Sequence, residues 1–376
     1  MAVISVLFVH ICGLYFKWQL PWVNGVRDFS SSGHHFGLLK PILVQLVYLS
    51  SGVVPFFWVL SGFCIHWSCL SWERFDTPRF IWTRFFRIYP VYIVTLLFFS
   101  LTGMQEASLP HLASRQFLAQ FFTHLFCIHN FWDGTILTLN TPAWTLAVEV
   151  QLYLLYPLLL ALKQHLGWAK TLLIVGAVSF SWQMGAVRLY GLPVHYMTGA
   201  PMSSPFGTWL SWTLGAYLAD KYALGQRGFR LNRNYLPAVA AFLAYAVSTV
   251  FQSLLIFSFF LASLAFVLAL DVALNRAPQA QLRSEKVGPV ARALSYFGLI
   301  SYSLYLWHHP IMIECHRLVE KASVFVKIPV ILFSLLLPII IAHFSFRFLE
   351  KPGIKLGKKF LAALRSENRE TSTATN

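Results

Sequence analysis

The chain has 376 residues, of which 57% are hydrophobic and only 11% are charged. An ordinary soluble domain carries about a quarter charged residues, so this composition excludes that class. The apolar runs are long and continuous, without the period of two typical of membrane β-strands, which excludes a barrel. The net charge of +15 does not indicate nucleic-acid binding, because the basic residues crowd between apolar runs as they do in membrane proteins.

The sequence predicts an all-α, polytopic membrane protein with about ten transmembrane helices. Apolar segments of roughly the length needed to cross a bilayer follow one another along the chain. They fall near residues 1–16, 41–66, 88–103, 143–162, 171–187, 206–219, 235–252, 254–270, 294–313 and 328–346. The run from 235 to 270 has no charged residue and is too long for one crossing, so we expect two helices that turn at Gln252 and Ser253.

Positive charge indicates the orientation of these helices. If the amino terminus is cytoplasmic, the cytoplasmic loops and tail hold 21 of the 29 lysine and arginine residues. The opposite orientation would invert this bias, which disfavours it. We therefore expect both termini in the cytoplasm, outer loops at 17–40 and 104–142, and an amphipathic, interfacial segment at 115–127.

One carboxylate, Glu149, lies within an apolar segment. No other residue from Ala143 to Leu162 is charged. At the rise of an α-helix Glu149 is about 9 Å beyond Ala143, below the lipid headgroups if the span begins near Trp144. An acid at this depth is costly unless it is paired, hydrated or protonated, which makes it a candidate functional residue. The alternative is a structural ion pair with an arginine of a neighbouring helix.

A histidine lies in the first apolar segment. His10 follows the apolar residues Val-Leu-Phe-Val. A histidine in such a place can be neutral near pH 7 and accept a proton, as a general base must. The alternative is a buried histidine that is hydrogen-bonded to a backbone carbonyl group.

Two arginines lie at the predicted cytoplasmic edge of the third apolar segment. Arg84 and Arg87 are three positions apart and therefore share one face of a helix. Two guanidinium groups at this edge can bind a phosphate in bidentate fashion. Anchoring of the helix by positive charge on the cytoplasmic side is the alternative explanation.

Other polar side chains in the apolar segments favour packing over chemistry. The run from Ser50 to Phe63 contains small residues that let helices approach closely, and Ser61 has no acid or base partner nearby in the sequence. His308 and His309 are adjacent and point in different directions on a helix, so they cannot chelate one metal ion well. The five cysteines lie in or beside apolar segments without metal-ligand spacing, which indicates small hydrophobic residues.

Six motifs in order resemble membrane-bound acyltransferase family 3, and the resemblance extends from His10 to Pro352. They are His10, Val54–Phe63 (VPFFWVLSGF), Arg84–Pro90 (RFFRIYP), Trp144–Glu149 (WTLAVE) with Tyr153 and Pro157, Ser301–Pro310 (SYSLYLWHHP) and Phe346–Pro352 (FRFLEKP). Members of this family O-acylate carbohydrates and other extracytoplasmic acceptors. The resemblance therefore implies an acyltransferase.

By this resemblance we expect transfer of an acyl group, acetyl in the first instance, from cytoplasmic acyl-CoA to a hydroxyl of an extracytoplasmic or lipid-linked saccharide. Acyl-CoA is a co-substrate, and no bound cofactor is expected. His10 is the expected base, and Glu149 orients its imidazole or stabilises the imidazolium. The expected substrate contacts are Arg84, Arg87, Trp144, Tyr153 and His308. The multi-pass chain is expected in the lipid bilayer of the plasma membrane, the inner membrane of a bacterium.

The alternative function is a proton-coupled transporter of a small solute or a lipid-linked sugar. Glu149 and His10 would then form a proton relay within the membrane. This alternative is disfavoured, because the sequence shows no two halves with corresponding broken helices.

One integral membrane acyltransferase domain is expected at 1–352, followed by a basic and then polar cytoplasmic tail at 353–376. The tail is expected to lie on the anionic inner leaflet. The first helix of the family normally carries an arginine eleven positions before the histidine, and that position would fall ahead of Met1. We therefore expect the first helix to be truncated.

Overall fold

The computed structural model describes residues 2–16, 22–23, 26–27, 45–46, 48–50, 52–104, 114–191, 203–226, 229, 234–276 and 288–374. Within these residues the chain is almost entirely α-helical, which confirms the predicted fold class. Two-residue strands also form an antiparallel pair, β1 (Trp22–Val23) with β2 (Val26–Arg27). Most of the predicted outer loop at 17–40 lies outside the described residues.

The helices follow the predicted apolar segments in order. They are α1 (Ala2–Phe16), α2 (Val53–Leu70), α3 (Thr77–Thr102), α4 (Arg115–Leu125), α5 (Ala143–Tyr190), α6 (Pro205–Ala223), α7 (Leu236–Ser248), α8 (Leu255–Arg276), α9 (Pro289–Val319), α10 (Val324–Ser345) and α11 (Lys351–Ala374). Short 3₁₀ turns occur at His129–Phe131 and Gln252–Leu254, and a π-helical turn (Phe346–Glu350) joins α10 to α11.

Local sequence signals explain several helix boundaries. The predicted turn at Gln252 and Ser253 falls in the 3₁₀ turn between α7 and α8, so the uncharged run does form two helices. The predicted interfacial segment is α4. The helix that contains the third apolar segment begins at Thr77, so it includes Arg84 and Arg87, as expected. Asp76 caps it by accepting a hydrogen bond from the backbone N–H of Arg79 at 3.0 Å.

The long helix α5 contains two of the predicted segments. Its 48 residues include Gly167, whose φ of 73° and ψ of 168° are not helical, so the helix breaks there. Glycine adopts a positive φ without steric strain because it has no Cβ atom, whereas other residues are strained there. The break falls between the predicted segments 143–162 and 171–187, which are therefore separate helical pieces.

Five helices among the described residues are long and apolar enough to cross a membrane. They are Tyr48–Leu70, Thr77–Thr102, Ala143–Tyr190, Gln252–Arg276 and Phe325–Leu364, and shorter apolar helices lie at Val6–Tyr15 and Leu236–Ser248. These helices agree with a polytopic membrane protein. The number of ten spans and the cytoplasmic location of both termini stay predictions.

The chain divides into two compact units. Unit A comprises Met1–Glu73, His129–Ile136 and Trp144–Gly288, and unit B comprises Arg74–Ile128, Leu137–Ala143 and Pro289–Asn376. Unit A thus contains α1, α2, nearly all of α5, and α6 to α8, whereas unit B contains α3, α4 and α9 to α11. The predicted membrane domain at 1–352 and the predicted tail at 353–376 stay predictions.

In unit A, two glycines let α2 and α6 approach very closely. A Cβ atom placed on Gly62 would lie 1.9 Å from the carbonyl oxygen of Trp212, and one on Gly215 would lie 1.9 Å from that of Val59. Any larger residue would separate the helices, so the small residues of the second apolar segment act as predicted. The surrounding core consists of aliphatic side chains of α2, α6, α7 and α8: Val59, Leu218, Ala238, Ala241, Ala265, Val267 and Leu268.

In unit B, aromatic contacts attach α9 and α11 to α3. The ring of Trp307 on α9 lies edge-on to that of Phe99 on α3, with centroids 5.3 Å apart. The Trp307 indole N–H also donates to Ser345 Oγ at 3.2 Å. Phe360 of α11 contacts Trp82 of α3, with ring centroids 5.1 Å apart. These contacts hold α3, the helix that carries the two predicted phosphate-binding arginines.

Replacement of Gly62 or Gly215 by alanine should destabilise unit A. Each added methyl group meets a backbone carbonyl oxygen that can move only if α2 and α6 separate, and overpacking of this kind costs about 1–3 kcal/mol or more. Thermal unfolding of the detergent-purified variants measures the loss. Gly185→Ala in α5 is the matched control, because a Cβ atom there meets nothing within 4 Å. Equal stability of all three variants would contradict the close packing.

Candidate active site

The carboxylate of Glu149, on α5 of unit A, binds two hydroxyl groups through one oxygen. Its Oε1 accepts a hydrogen bond from Ser61 Oγ at 2.9 Å and another from Tyr153 OH at 2.5 Å. Tyr153 is one turn further along α5, whereas Ser61 belongs to α2. Charge-assisted hydrogen bonds of this kind offset the loss of water around a carboxylate, so an apolar helix can carry it.

Ser61 is a member of this site that the local sequence does not reveal. It is buried, and it accepts from the indole N–H of Trp212 at 3.3 Å while it donates to Glu149. The adjacent Gly62 explains the geometry, since the close approach of α6 brings Trp212 to α2. Glu149 is 88 positions away along the chain, so the sequence around Ser61 indicates only packing. In the structure Ser61 packs and also binds the carboxylate.

An aromatic cluster includes Trp58, one turn before Ser61 on α2, and Trp144, near the start of α5. Trp144, a predicted substrate contact, is buried and lies edge-on to Trp58, with ring centroids 5.9 Å apart. Trp58 also packs against Phe259 at 5.2 Å. The Trp58 indole nitrogen is buried without a hydrogen-bond partner among the residues that the structure describes. A buried donor of this kind is suited to a ligand oxygen atom.

The predicted base, His10, lies on α1 in unit A. Its side chain is half-buried, and α1 packs against α2, the helix that carries Ser61. His10 and Glu149 therefore belong to the same unit, on two helices that both contact α2. A direct contact between their side chains stays a prediction.

The two predicted phosphate-binding arginines lie on α3 in unit B. The guanidinium carbon of Arg84 lies 5.3 Å from the ring centroid of Phe80, in a cation–π contact. Arg87 is exposed and is attracted electrostatically to Glu350. Glu350 itself is buried and accepts from Ser303 Oγ at 2.9 Å. The two arginines thus share a helix but differ in their surroundings.

His308, another predicted substrate contact, is fully buried on α9 in unit B. Its Nδ1–H donates to the carbonyl oxygen of Tyr305 at 2.7 Å, which places the lone pair of the neutral ring on Nε2. The rings of His308 and His309 are 6.1 Å apart and inclined at 71°, as expected of adjacent helical positions. Across the described ranges, no group of three or more histidine, cysteine, aspartate or glutamate side chains could hold a metal ion.

Within unit B, α9 holds the segment that leads into α5. Asn140 Nδ2 donates to the carbonyl oxygen of Leu306 at 3.0 Å. Tyr305 OH donates to the carbonyl oxygen of Pro142, also at 3.0 Å. The motif at 301–310 thus anchors the segment that precedes α5, a link that its sequence does not show.

A carboxylate hydrogen-bonded within apolar helices, with aromatic side chains beside it, is typical of a functional site in an integral membrane protein. The protein therefore belongs to the polytopic membrane proteins with a polar site among their helices. More narrowly, the chain belongs to acyltransferase family 3: the sequence model of this family, described as an acyltransferase domain, matches residues 1–344. This match confirms the resemblance seen in the motifs.

Curated relatives include the O-acetyltransferase OatA of Staphylococcus aureus, which is 26% identical over 401 aligned residues. The alignment covers 95% of this chain and 61% of the relative, so the chain spans less than two thirds of the length of OatA. Acyltransferase MdmB of Streptomyces mycarofaciens is 27% identical over 289 residues, which cover 73% of this chain and 72% of the relative. No solved structure matches the chain significantly.

Glu149→Leu should destabilise unit A, whereas Glu149→Gln should not. Leucine removes the acceptor of two hydroxyl groups, and each buried group left unsatisfied costs about 1–3 kcal/mol. Glutamine keeps an amide oxygen in the place of Oε1, so both hydroxyls retain a partner. Thermal unfolding of the purified variants compares them. If the glutamine variant is as unstable as the leucine variant, the negative charge itself holds the helices, as a structural ion pair would.

Proposed function

We propose that this chain is an integral membrane O-acyltransferase that transfers an acyl group, acetyl in the first instance, from acyl-CoA to a hydroxyl group of a saccharide. The observation that carries the proposal is the Glu149 carboxylate, bound by Ser61 and Tyr153 within apolar helices of an acyltransferase-family chain. The relative OatA is an O-acetyltransferase by name, which supports acetyl as the transferred group and a hydroxyl as its acceptor.

In the proposed reaction, the acceptor hydroxyl attacks the carbonyl carbon of the thioester. A C–O bond forms and the C–S bond breaks. The hydroxyl proton passes to the imidazole of His10 and from there to the departing thiolate, so no proton is gained or lost overall. Histidine suits this role because it takes up and releases a proton near pH 7. Glu149 orients the imidazole or stabilises the imidazolium, as the carboxylate of a catalytic triad does.

Arg84 and Arg87 are proposed to bind the phosphate groups of acyl-CoA. Both lie within the first three turns of α3, at the end predicted to be cytoplasmic. The exposed Arg87 presents a planar group suited to bidentate binding of phosphate. Arg84 is oriented by the ring of Phe80. These surroundings support a donor site at the cytoplasmic side of unit B.

Trp144, Tyr153 and His308 are proposed to contact the substrates. Trp144 offers aromatic surface, Tyr153 places a hydroxyl beside Glu149, and His308 carries an acceptor nitrogen. Aromatic surface with a few fixed polar groups is the usual lining of a small-molecule site. The acceptor is proposed to be a saccharide or glycolipid presented from the outer side of a bacterial plasma membrane, and both relatives come from bacteria.

Transfer of radiolabelled acetyl from acetyl-CoA to a membrane polysaccharide fraction tests the proposal. Membranes that contain the chain should label this fraction, and membranes from the same host without the gene should not. Uptake of a solute or lipid-linked sugar into vesicles, with no labelled product, would instead favour a transporter.

His10→Ala should abolish transfer without loss of protein from the membrane, because loss of a general base costs about 10²–10⁴-fold in rate. Glu149→Gln should also lower kcat strongly, since it removes the charge that supports the imidazolium but keeps the hydrogen bonds. Initial rates with labelled acetyl-CoA, normalised to protein level, measure both effects. His165→Ala, exposed on α5, is the matched control and should be fully active. Near-normal rates in His10→Ala would remove His10 from the mechanism.

Arg84→Ala and Arg87→Ala should raise the KM for acyl-CoA more than the KM for the acceptor. Each lost contact to a charged phosphate should cost about 1.5–3 kcal/mol, or at least about tenfold. Lysine should restore only part of the loss, because it lacks the planar fork. Arg74→Ala removes an exposed positive charge ahead of α3 and serves as the control. An unchanged KM for acyl-CoA in both test variants would identify the arginines as topological anchors.

A further inference from the structure

A second polar cluster lies in unit A, and the proposed reaction does not use it. At its centre is Asp220 of α6, only 5% exposed. Its Oδ1 accepts from Lys163 Nζ at 2.6 Å and from His66 Nε2 at 3.2 Å. Its Oδ2 accepts from Trp168 Nε1 at 2.7 Å. The cluster therefore joins α2, α5 and α6, and none of its members belongs to a motif recognised in the sequence.

The two partners of His66 determine which atom donates in each of its hydrogen bonds. The carboxylate of Asp220 only accepts, so the proton shared with it is on Nε2 of His66. In the neutral ring Nδ1 then has the lone pair and accepts from Tyr156 OH at 2.9 Å. Tyr156 and His66 are each 1% exposed. Asp220, His66 and Tyr156 together form the Asp220 triad.

Tyr156 is the member of the Asp220 triad through which the triad is connected to Glu149. Its ring lies edge-on to that of Trp212, with centroids 5.5 Å apart and planes inclined at 75°. Trp212 donates to Ser61, and Ser61 donates to Glu149. A continuous series of contacts, all within unit A, thus runs from the triad to the carboxylate assigned to the reaction.

The triad also determines the register of two parallel helices. Ser61 contacts Glu149, and five residues further along α2, His66 contacts a residue seven positions beyond Glu149 on α5. The two helices therefore run in the same direction, and a slip of either one changes both contacts. Hydrogen bonds to the charged Asp220 are stronger than neutral ones. They therefore hold the register that delivers the Ser61 hydroxyl to the carboxylate.

We propose that the Asp220 triad positions Glu149 for acyl transfer, an inference that rests on the proposed function. The triad acts through Trp212 and Ser61, and its members are positioning residues because they touch no reacting group. A displacement of about 1 Å at a catalytic group costs up to about a hundredfold in rate. A network that fixes the Ser61 hydroxyl therefore controls turnover without taking part in substrate binding.

Tyr156→Phe tests the inference, because it keeps the ring against Trp212 and removes only the hydroxyl. Positioning predicts a fall in kcat of about tenfold to a hundredfold, with the KM for acetyl-CoA unchanged. Tyr245→Phe is the matched control. Tyr245 is fully buried in the same unit and donates to the carbonyl oxygens of Tyr48 at 3.1 Å and Leu49 at 3.2 Å. This variant should lose stability and keep its kcat.

A second matched pair compares two buried aspartates of unit A. Asp220→Asn replaces one carboxylate oxygen by an NH₂ group, so a single acceptor oxygen remains for the three donors Lys163, His66 and Trp168. The hydrogen bond that fixes the His66 ring is therefore weakened or lost. Asp271 on α8 is even more deeply buried, and it accepts from the backbone N–H of Phe229 at 3.2 Å and from Asn275 Nδ2 at 3.0 Å. Both asparagine variants should have a lower unfolding temperature. Only Asp220→Asn should also have a lower kcat per folded molecule.

A double-mutant cycle with Ser61→Ala separates positioning from general loosening of the unit. If Tyr156 acts through Ser61, the double variant should have nearly the kcat of the slower single variant; independent effects would multiply. Two results would overturn the inference if the unmodified chain is active. One is a double variant whose loss of kcat equals the product of the two single losses, and the other is a Tyr156→Phe variant with the same kcat as Tyr245→Phe. An unmodified chain that transfers no acetyl would overturn the proposed function and, with it, this inference.

Discussion

Glu149 places a carboxylate among apolar helices, and much of unit A follows from the donors that this group requires. An unpaired charge in such a place costs several kcal/mol. Ser61 and Tyr153 supply the donors, and Ser61 is in place because Gly62 and Gly215 let α6 approach α2. Two residues without side chains are therefore as much a part of the site as the residues that carry its chemistry.

Helices in a membrane gain little from burying apolar surface against one another, so close packing and hydrogen bonds hold them together. Unit A shows both at successive levels of α2. Near its middle, Ser61 bonds to the carboxylate; five residues later, His66 bonds to Asp220 and Tyr156. The first level belongs to the proposed chemistry. The second holds the helices in register, and we infer that it sets how well the first level works.

Unit B has a different task in the proposed reaction. Its arginines lie on α3, which Trp307 and Phe360 attach to α9 and α11 through aromatic contacts. The same helix α9 holds the segment ahead of α5 through Asn140 and Tyr305. The motif at 301–310, which contains the predicted substrate contact His308, therefore also has a structural role. Donor binding is proposed for α3, and α9 fixes the segment of unit B that precedes α5.

The sequence by itself determined the all-α membrane fold, the turn at Gln252 and the family, because apolar runs, breaker residues and motif order are local features. It also singled out Glu149, since a charge among apolar residues is visible without knowledge of its neighbours. Only the tertiary structure could reveal Ser61 and the Asp220 triad as polar networks. Their partners lie 88 positions apart for Ser61 and 154 for His66, and a serine or histidine on an apolar helix has the same sequence context whether it packs or bonds.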